Sequence, residues 1–173
     1  MHGWALTQRG QELDGIAQMR AGLDEYHRTG AVVLRPGYLG LLAEACGNAG
    51  RPEEGLSLLA EAQDLASECQ EGLWQAELHR LKGELILKRA GAQGLPHNIE
   101  NKAEDCFQQA LTVARTQQAK SLELRAAMSL SRLWLRQSRR PEGRRLLGES
   151  LAFFTEGFDT PDLLDTKQLL QRL

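Results

Sequence analysis

The stretch Gly50-Arg-Pro-Glu-Glu-Gly55 decides the fold, because two variants of it occur elsewhere in the chain. One is Gly10-Gln-Glu-Leu-Asp-Gly15, about forty residues earlier, and the other is Ser138-Arg-Arg-Pro-Glu-Gly143. In each copy a small residue ends one helix, polar residues follow, and an acidic residue precedes a second small residue. Matched small residues at a fixed period are typical of a repeat architecture. The pattern therefore predicts an all-α chain of antiparallel helix hairpins.

The composition agrees with a helical repeat. Of the 173 residues only 5% are aromatic, which suits helix hairpins better than a sheet sandwich. The formal net charge of -2 gives no general attraction to nucleic acid or to an anionic membrane. No apolar run reaches the roughly eighteen residues that span a bilayer, and the N-terminus lacks the features of a signal peptide. We therefore expect a cytoplasmic protein with no membrane segment.

Four hairpins and a cap account for the whole chain as one domain, 1–173. The predicted bounds are a partial hairpin over about 1–30, hairpins over 36–69, 74–117 and 121–155, and a C-terminal capping helix over 161–173. Gly15, Gly55, Ala103 and Gly143 fall where paired helices approach closely. The spacing from Gly55 to Ala103 is longer than the others, and the surplus predicts a loop over 88–100. A tolerated surface insertion is favoured there over a binding element.

Catalytic and metal-binding patterns are missing from the sequence. The four histidines, His2, His27, His79 and His97, lie at no spacing that a zinc ligand set uses. There is no phosphate-binding Gly-x-x-x-x-Gly-Lys-Ser/Thr loop and no Gly-x-Ser-x-Gly elbow. We therefore expect no enzyme activity, no cofactor and no metal.

The three cysteines also predict no special chemistry. Cys46, Cys69 and Cys106 are an odd number without close spacing, and each lies in an apolar helical pattern. This indicates buried free thiols rather than disulfides or a zinc site.

The helix pairs resemble the tetratricopeptide repeat. Phe107, flanked by Ala103 and Ala110, is the closest match to its small-large-small pattern. The period here is about forty residues rather than about thirty-four. The longer period is similar to that of repeats in large bacterial signalling ATPases and in activators of the maltose-operon type. The resemblance implies an α-α superhelix, a solenoid of hairpins, with a capping helix.

A more specific resemblance covers nearly the whole chain. Its segments look like the C-terminal tail of predicted bacterial ATPases, which often carry an adenylate or guanylate cyclase-like domain and an ATPase domain before their repeats. These segments are Gly3-Trp-Ala-Leu6, 38–45, 76–85, 103–110, 118–127 and 156–160. Gly3 falls where the small residue in the middle of a first helix belongs, so we expect the chain to be a fragment of a longer protein.

The resemblance also implies a binding groove, which the first helix of each hairpin lines. Transferred position by position, the groove residues are Glu44, Asn48, His79, Arg125, Met128, Arg132 and Arg136. The groove would be acidic to neutral at one end and basic at the other, which suits an acidic peptide.

One cluster of arginines stands out near the third small-residue motif. Its six members are Arg132, Arg136, Arg139, Arg140, Arg144 and Arg145. Such a patch is able to contact phosphates or an acidic protein face. A solvated turn is the favoured interpretation, since no aromatic residues alternate with the arginines, and nucleic acid is disfavoured as a partner.

These observations favour a protein-interaction or regulatory module that binds a partner segment or its own upstream domains. The alternative is a small-ligand sensor like the repeats of maltose-type activators. We also expect a homodimer through the N-terminal repeat, because a shortened first helix would leave an apolar strip poorly covered. The strip consists of Leu13, Ile16, Met19 and Leu23.

Overall fold

A computed structural model describes residues 2–69, 72–91 and 96–173. Within these ranges the chain forms helices and no strand, which confirms the all-α fold class. The helices are α1 His2–Gln8, α2 Glu12–Arg28, α3 Arg35–Asn48, α4 Pro52–Glu68, α5 Gln75–Ala90, α6 His97–Thr116, α7 Lys120–Arg136, α8 Arg140–Leu151 and α9 Pro161–Arg172. Consecutive helices pair as the hairpins α1–α2, α3–α4, α5–α6 and α7–α8.

The first small residue of each sequence motif forms the turn inside a hairpin. Gly10, Gly50 and Ser138 have φ angles of 78°, 75° and 63°, in the left-handed region. Glycine enters this region without steric cost, and it reverses the chain directly after a helix. Pro52 then begins α4 in the first turn, where its missing N–H leaves no helical hydrogen bond unmade.

The second small residue of each motif lies where two helices touch. A Cβ atom added to Gly55 would lie 2.8 Å from the carbonyl oxygen of Ala43 on the paired helix. A Cβ atom on Gly15 would lie 2.6 Å from the carbonyl oxygen of Gly3. Real Cβ atoms do not approach backbone this closely, so these contacts require glycine.

The odd-numbered helices form the inner side of the array. Each of α1, α3, α5 and α7 contacts the next odd-numbered helix, which for α7 is α9. In the described part of the chain, the backbones of α2, α4, α6 and α8 stay apart from one another, although the side chain of Arg20 on α2 pairs with that of Glu54 on α4. The array therefore curves with the odd-numbered helices on its concave side, which we call the inner face.

Helix α9 closes the array at the C-terminal end. Its side chains Leu163 and Leu169, with Leu173 directly after it, are buried in the same hydrophobic cluster as Leu147 of α8 and Leu130 of α7. This arrangement confirms the capping helix. None of the helices in the described ranges is long and apolar enough to cross a membrane.

Two sequence-based expectations about local structure need correction. The loop predicted over 88–100 is shorter, because α5 continues to Ala90 and α6 begins at His97, while 92–95 lie outside the described residues. Lysine and arginine at 88 and 89 favour a helical C-terminus. Cys46 and Cys106 are buried as expected, but Cys69 is exposed because it follows the last residue of α4.

The predicted apolar strip on α2 is largely covered. Ile16 is 3% exposed and packs against Leu42 and Cys46 of α3, while Met19 and Leu23 are partly buried beside it. Leu13 alone is mostly exposed, at 72%. Helix α3 covers the strip that the short α1 was expected to leave open.

Candidate partner-binding face

Four polar side chains of α5 follow one another along the inner face. Glu77, Arg80, Glu84 and Lys88 are spaced by three or four residues, so they share one side of the helix. We divide the inner face into two halves along the length of its helices. The first half contains the N-terminal parts of α5 and α7, and the second half contains their C-terminal parts.

The first half is held by a nearly buried ion pair. Arg80 donates from Nε and Nη2 to the two carboxylate oxygens of Glu77, at 2.9 and 2.7 Å. The two side chains are 10% and 12% exposed. Glu44 of α3 and Glu84 lie further from the same guanidinium, at 3.7 and 3.8 Å. This two-point geometry fixes the orientation of the arginine as well as its charge.

The same network reaches two further helices. Arg125 of α7 lies 3.1 Å from Glu77 and 3.3 Å from Asp162 of α9. Ser129 of α7 donates a hydrogen bond of 2.6 Å to Glu84. Charges and hydrogen bonds thus connect α3, α5, α7 and α9 along the inner face, and they hold successive repeats in register.

The network keeps its central charges ionised. Burial opposes ionisation of Glu77, but the hydrogen bond and charge of Arg80, together with the charge of Arg125, outweigh it and lower the pKa of Glu77. Burial of Arg80 is likewise outweighed by Glu77, Glu84 and Glu44, which raise the pKa of Arg80. Both groups therefore stay charged at neutral pH.

The second half of the inner face carries cations without such partners. Arg136 lines an open cleft of about 650 Å³ together with Lys88, Arg89 and the carboxylates of Glu53 and Glu84. Lys88 donates a hydrogen bond to the side chain of Asn48. No described carboxylate lies within ion-pair distance of Arg132 or Arg136, and both are exposed.

The sequence-predicted groove residues are only partly brought together. The inner face includes Glu44, Asn48, Arg125 and Arg136. Arg132 shares this side of α7, because it lies three residues after Ser129, which contacts Glu84, and four before Arg136. Their role in binding stays a prediction.

Two of the predicted groove residues lie elsewhere. Met128 is 4% exposed and offers almost no surface. His79 lines a cleft with Asp105 and Gln108 of α6, where burial, followed by the charge of Lys82, lowers its pKa. The transferred pattern assigned His79 to the wrong side of α5, because one residue along a helix turns the side chain by about 100°.

Four residues of the inner face were not predicted from the sequence as site residues: Glu77, Arg80, Glu84 and Lys88. Their spacing of three and four residues was available as a signal in the sequence. Alternating charge at that spacing is common on solvated helix faces, so it does not by itself indicate a network.

The arginine cluster noted in the sequence is divided by the fold. Arg132 and Arg136 lie on the inner face, while Arg144 and Arg145 lie on the outer helix α8. Arg139 lies 4.7 Å from the ring centre of Trp134 and 3.1 Å from Glu104. The six arginines therefore do not form one patch.

A second cleft lies at the first hairpin. It has a volume of about 390 Å³ and is lined by Trp4 of α1, Met19 and Tyr26 of α2, and Tyr38 of α3, among others. The rings of Tyr26 and Tyr38 meet edge to face, with centres 5.5 Å apart. The described residues include no group of three or more metal-binding side chains.

Similarity to solved structures decides the fold. The nearly identical TPR-like repeats of a Podosopora anserina protein, assigned as a kinesin light chain, superpose with a TM-score of 0.68 at 15% identity, covering 98% of this chain and 81% of that chain. A single-residue variant of the same repeats gives a TM-score of 0.69, over 98% of this chain and 80% of that chain. This chain has a tetratricopeptide-like repeat fold.

Sequence comparison adds one relative and no family model. No family model matches the chain. An uncharacterized protein of Rhizobium meliloti (strain 1021) is 30% identical over 131 residues, which are 76% of this chain. The chain spans only 12% of the length of that relative.

Proposed function

We propose that this tetratricopeptide-like array is a regulatory interaction module that binds an acidic partner segment along the second half of its inner face. The observation that carries this proposal is the pair of exposed arginines, Arg132 and Arg136, which have no described carboxylate partner, with Arg136 in the same cleft as Lys88 and Arg89. Arginine is well suited to this role because its guanidinium binds a carboxylate at two points.

The paired half of the face supports the same proposal. Because Glu77 pairs with Arg125 of α7 and Arg80 lies close to Glu44 of α3, neighbouring repeats keep a fixed spacing, and a partner meets cations at defined positions. Preformed positions reduce the ordering cost of binding. Charge complementarity at an open cleft also speeds encounter with an acidic partner.

We further propose that the array belongs to a cytoplasmic bacterial signalling protein of the ATPase or cyclase-like type. The partner segment would then come from another protein or from upstream domains of the same chain. The resemblance of six segments to such tails supports this context. The 30% identical relative is a much longer bacterial protein, which agrees with a bacterial source.

A small-ligand sensor is the second candidate function. It is favoured by the cleft of about 390 Å³ at Trp4, Tyr26 and Tyr38, which has the size and aromatic lining of small-molecule sites. An effector there would contact α1, α2 and α3 together and would change how the first hairpin packs on the second.

A homodimer through the N-terminal repeat is a separate proposal with narrower support. Of the four side chains on which it rested, Leu13 alone is mostly exposed. Light scattering on the wild type and on Leu13→Asp tests it, since a wild type that stays monomeric at high concentration contradicts the dimer.

Binding of a fluorescein-labelled glutamate-rich peptide tests the main proposal by fluorescence anisotropy. We expect the double variant Arg132→Glu and Arg136→Glu to weaken binding by about tenfold or more, since each lost charged contact costs about 1 kcal/mol or more. The matched control is Arg144→Glu with Arg145→Glu, which changes the net charge equally but lies on α8.

Three outcomes decide between the candidates. Equal loss of affinity in both double variants would mean that only net charge matters, and the inner-face proposal would be wrong. No binding to the wild type in low salt would also contradict it. Quenching of Trp4 fluorescence by small effectors, lost in Tyr38→Ala, would favour the sensor instead.

A further inference from the structure

The loops that join one hairpin to the next lie together along one edge of the array. These loops span 29–34, 69–74, 117–119 and 152–160, of which 70 and 71 are not described. In a stack of antiparallel hairpins such loops all lie at the same edge, opposite the turns inside the hairpins. We call this side the junction edge.

Three contacts make the junction edge continuous. The ring of Trp74, before α5, packs directly on Gly37 in the first turn of α3. The Gln117 side chain donates a hydrogen bond of 2.6 Å to the carbonyl oxygen of Gly72. The Lys120 ammonium then lies 4.9 Å from the ring centre of Phe153. Each loop is thus tied to the next along the whole array.

Exposed large apolar side chains concentrate at this edge. Among the described residues, eight such side chains are exposed, and six belong to the junction loops or to the first turn of α9. Those six are Val32, Val33, Leu73, Phe153, Phe158 and Leu164. Exposed apolar side chains that occur singly need no explanation, but a row of them marks an interaction surface.

The row follows the repeat. Val33 and Leu73 are 64% and 60% exposed, and each lies two residues before the first helix of its hairpin. Phe153 is 59% exposed and lies in the loop after α8. Neighbouring helices pack about 8 to 10 Å apart, so the exposed apolar side chains of successive repeats recur at about that interval. In an α-helix, side chains seven residues apart lie about 10.5 Å apart along the axis, so their spacing matches that of the exposed apolar row.

The charged side chains of the junction edge indicate the sign of the charge that a partner carries. The cations here are used within the chain, since Arg28 pairs with Glu25, Arg35 with Glu61, and Lys120 with Glu123. The edge also carries carboxylates for which no ion pair exists in the described residues, and these are Asp64, Glu68, Glu156 and Asp159. Lys167 lies over the ring of Phe158. The charge left for a partner is therefore mainly negative.

We propose that the junction edge is a second docking surface, distinct from the inner face, and that it binds a basic amphipathic helix of a protein partner. The apolar side of that helix packs on the row of Val33, Leu73 and Phe153, and its lysines or arginines face the carboxylates of the edge. A helix of about three heptads is about 30 Å long and spans three repeats.

A designed peptide probes this surface. The probe is a fluorescein-labelled helix of about three heptads with leucines on one face and lysines on the other. We expect it to bind the wild type, and we expect Val33→Ser, Leu73→Ser and Phe153→Ser together to weaken it about tenfold or more. The matched control replaces Leu13, Ala21 and Ala60 by serine, because these side chains are exposed away from the junction edge. Serine leaves the charge unchanged in both triple variants.

The other outcomes of these measurements separate a helical protein partner from a membrane or a second copy of the chain. Equal affinity for the two triple variants, or tighter binding of a peptide with glutamate in place of lysine, would overturn it. Uptake of the wild type by zwitterionic lipid vesicles without peptide binding, or self-association that the edge variant abolishes, would assign the surface to a membrane or to a second copy. The double variant Arg132→Glu and Arg136→Glu should leave the affinity for this peptide unchanged. Failure of the junction-edge proposal can therefore be told apart from failure of the inner-face proposal.

Discussion

The first and the third hairpins both use glycines where their helices meet, but their large side chains are buried to different degrees. In the third, Phe107 is fully buried against Gly83, between Ala103 and Ala110, which are also fully buried. In the first, Gly3 and Gly15 bring the backbones of the two helices into contact, yet Trp4 is 36% exposed and α1 is 7 residues long. Small residues thus permit close approach, whereas stability comes from the large side chains and neighbouring repeats around them.

Overpacking the third hairpin tests this difference most severely. A Cβ atom on Gly83 would lie 2.5 Å from the ring of Phe107, which has no free space to move into. We expect Gly83→Leu to lower the free energy of unfolding by about 3 kcal/mol, at the upper end of overpacking costs. Gly55→Leu should behave similarly, because the backbone of Ala43 cannot move aside. Urea unfolding measures both, and Gly148→Leu, in open space on α8, is the control.

Removing one partner of the inner-face network should have the next largest effect. We expect Glu77→Gln to cost about 2 kcal/mol, since it leaves Arg80 nearly buried with only its two longer contacts. The control is Glu149→Gln, which breaks the exposed pair with Arg145 and should change stability by less than about 0.5 kcal/mol. Indistinguishable unfolding midpoints for the two variants would show that the network does not hold the interior repeats.

Acid should weaken the interior through the same carboxylate. The pKa of Glu77 is lower in the folded chain, so its contribution is fully present above the unfolded value of about 4.3 and is lost as pH falls through the folded value. The stability difference between the wild type and Glu77→Gln should therefore narrow below about pH 4. A difference that stays constant from pH 7 to pH 3 would rule out this linkage.

The first hairpin should give the smallest global effect. A Cβ atom on Gly15 would lie 2.5 Å from Thr7 and 2.6 Å from the carbonyl oxygen of Gly3. We expect Gly15→Leu to detach α1 while lowering the global free energy of unfolding by less than about 1 kcal/mol, because terminal elements open locally. Hydrogen exchange would show faster exchange in α1 and α2 alone. A cooperative loss of the whole array would contradict the contrast between the hairpins.

The fold was predictable because its determinants are local. A left-handed turn residue, a proline in the first turn and a small residue at the contact each leave a mark at a fixed place in the sequence. The capping helix was predictable for the same reason, from Thr160-Pro161-Asp162 followed by leucines.

The candidate site was less predictable because it depends on distances between repeats. Arg80 meets Glu44, and Glu77 meets Arg125, only after separate hairpins are stacked. The position of His79 shows the same limit, since a small error in helical phase moves a side chain from one face to another. The exposure of Cys69 followed from the end of α4, a boundary that sequence patterns place only to within a few residues.

Curvature in which only the inner helices of successive repeats pack their backbones together makes the array compliant in one direction. In the described chain the backbones of the outer helices α2, α4, α6 and α8 stay apart, so spreading them breaks no backbone packing between them, although it separates the ion pair of Arg20 and Glu54. The inner helices act as the hinge line of this bending, and the ion pairs of Arg80 and Arg125 lie along it. Bending therefore changes the width of the groove and the spacing of the junction loops at the same time. A partner bound at the inner face would alter the shape of the junction edge, and the reverse, through elastic bending of the array alone.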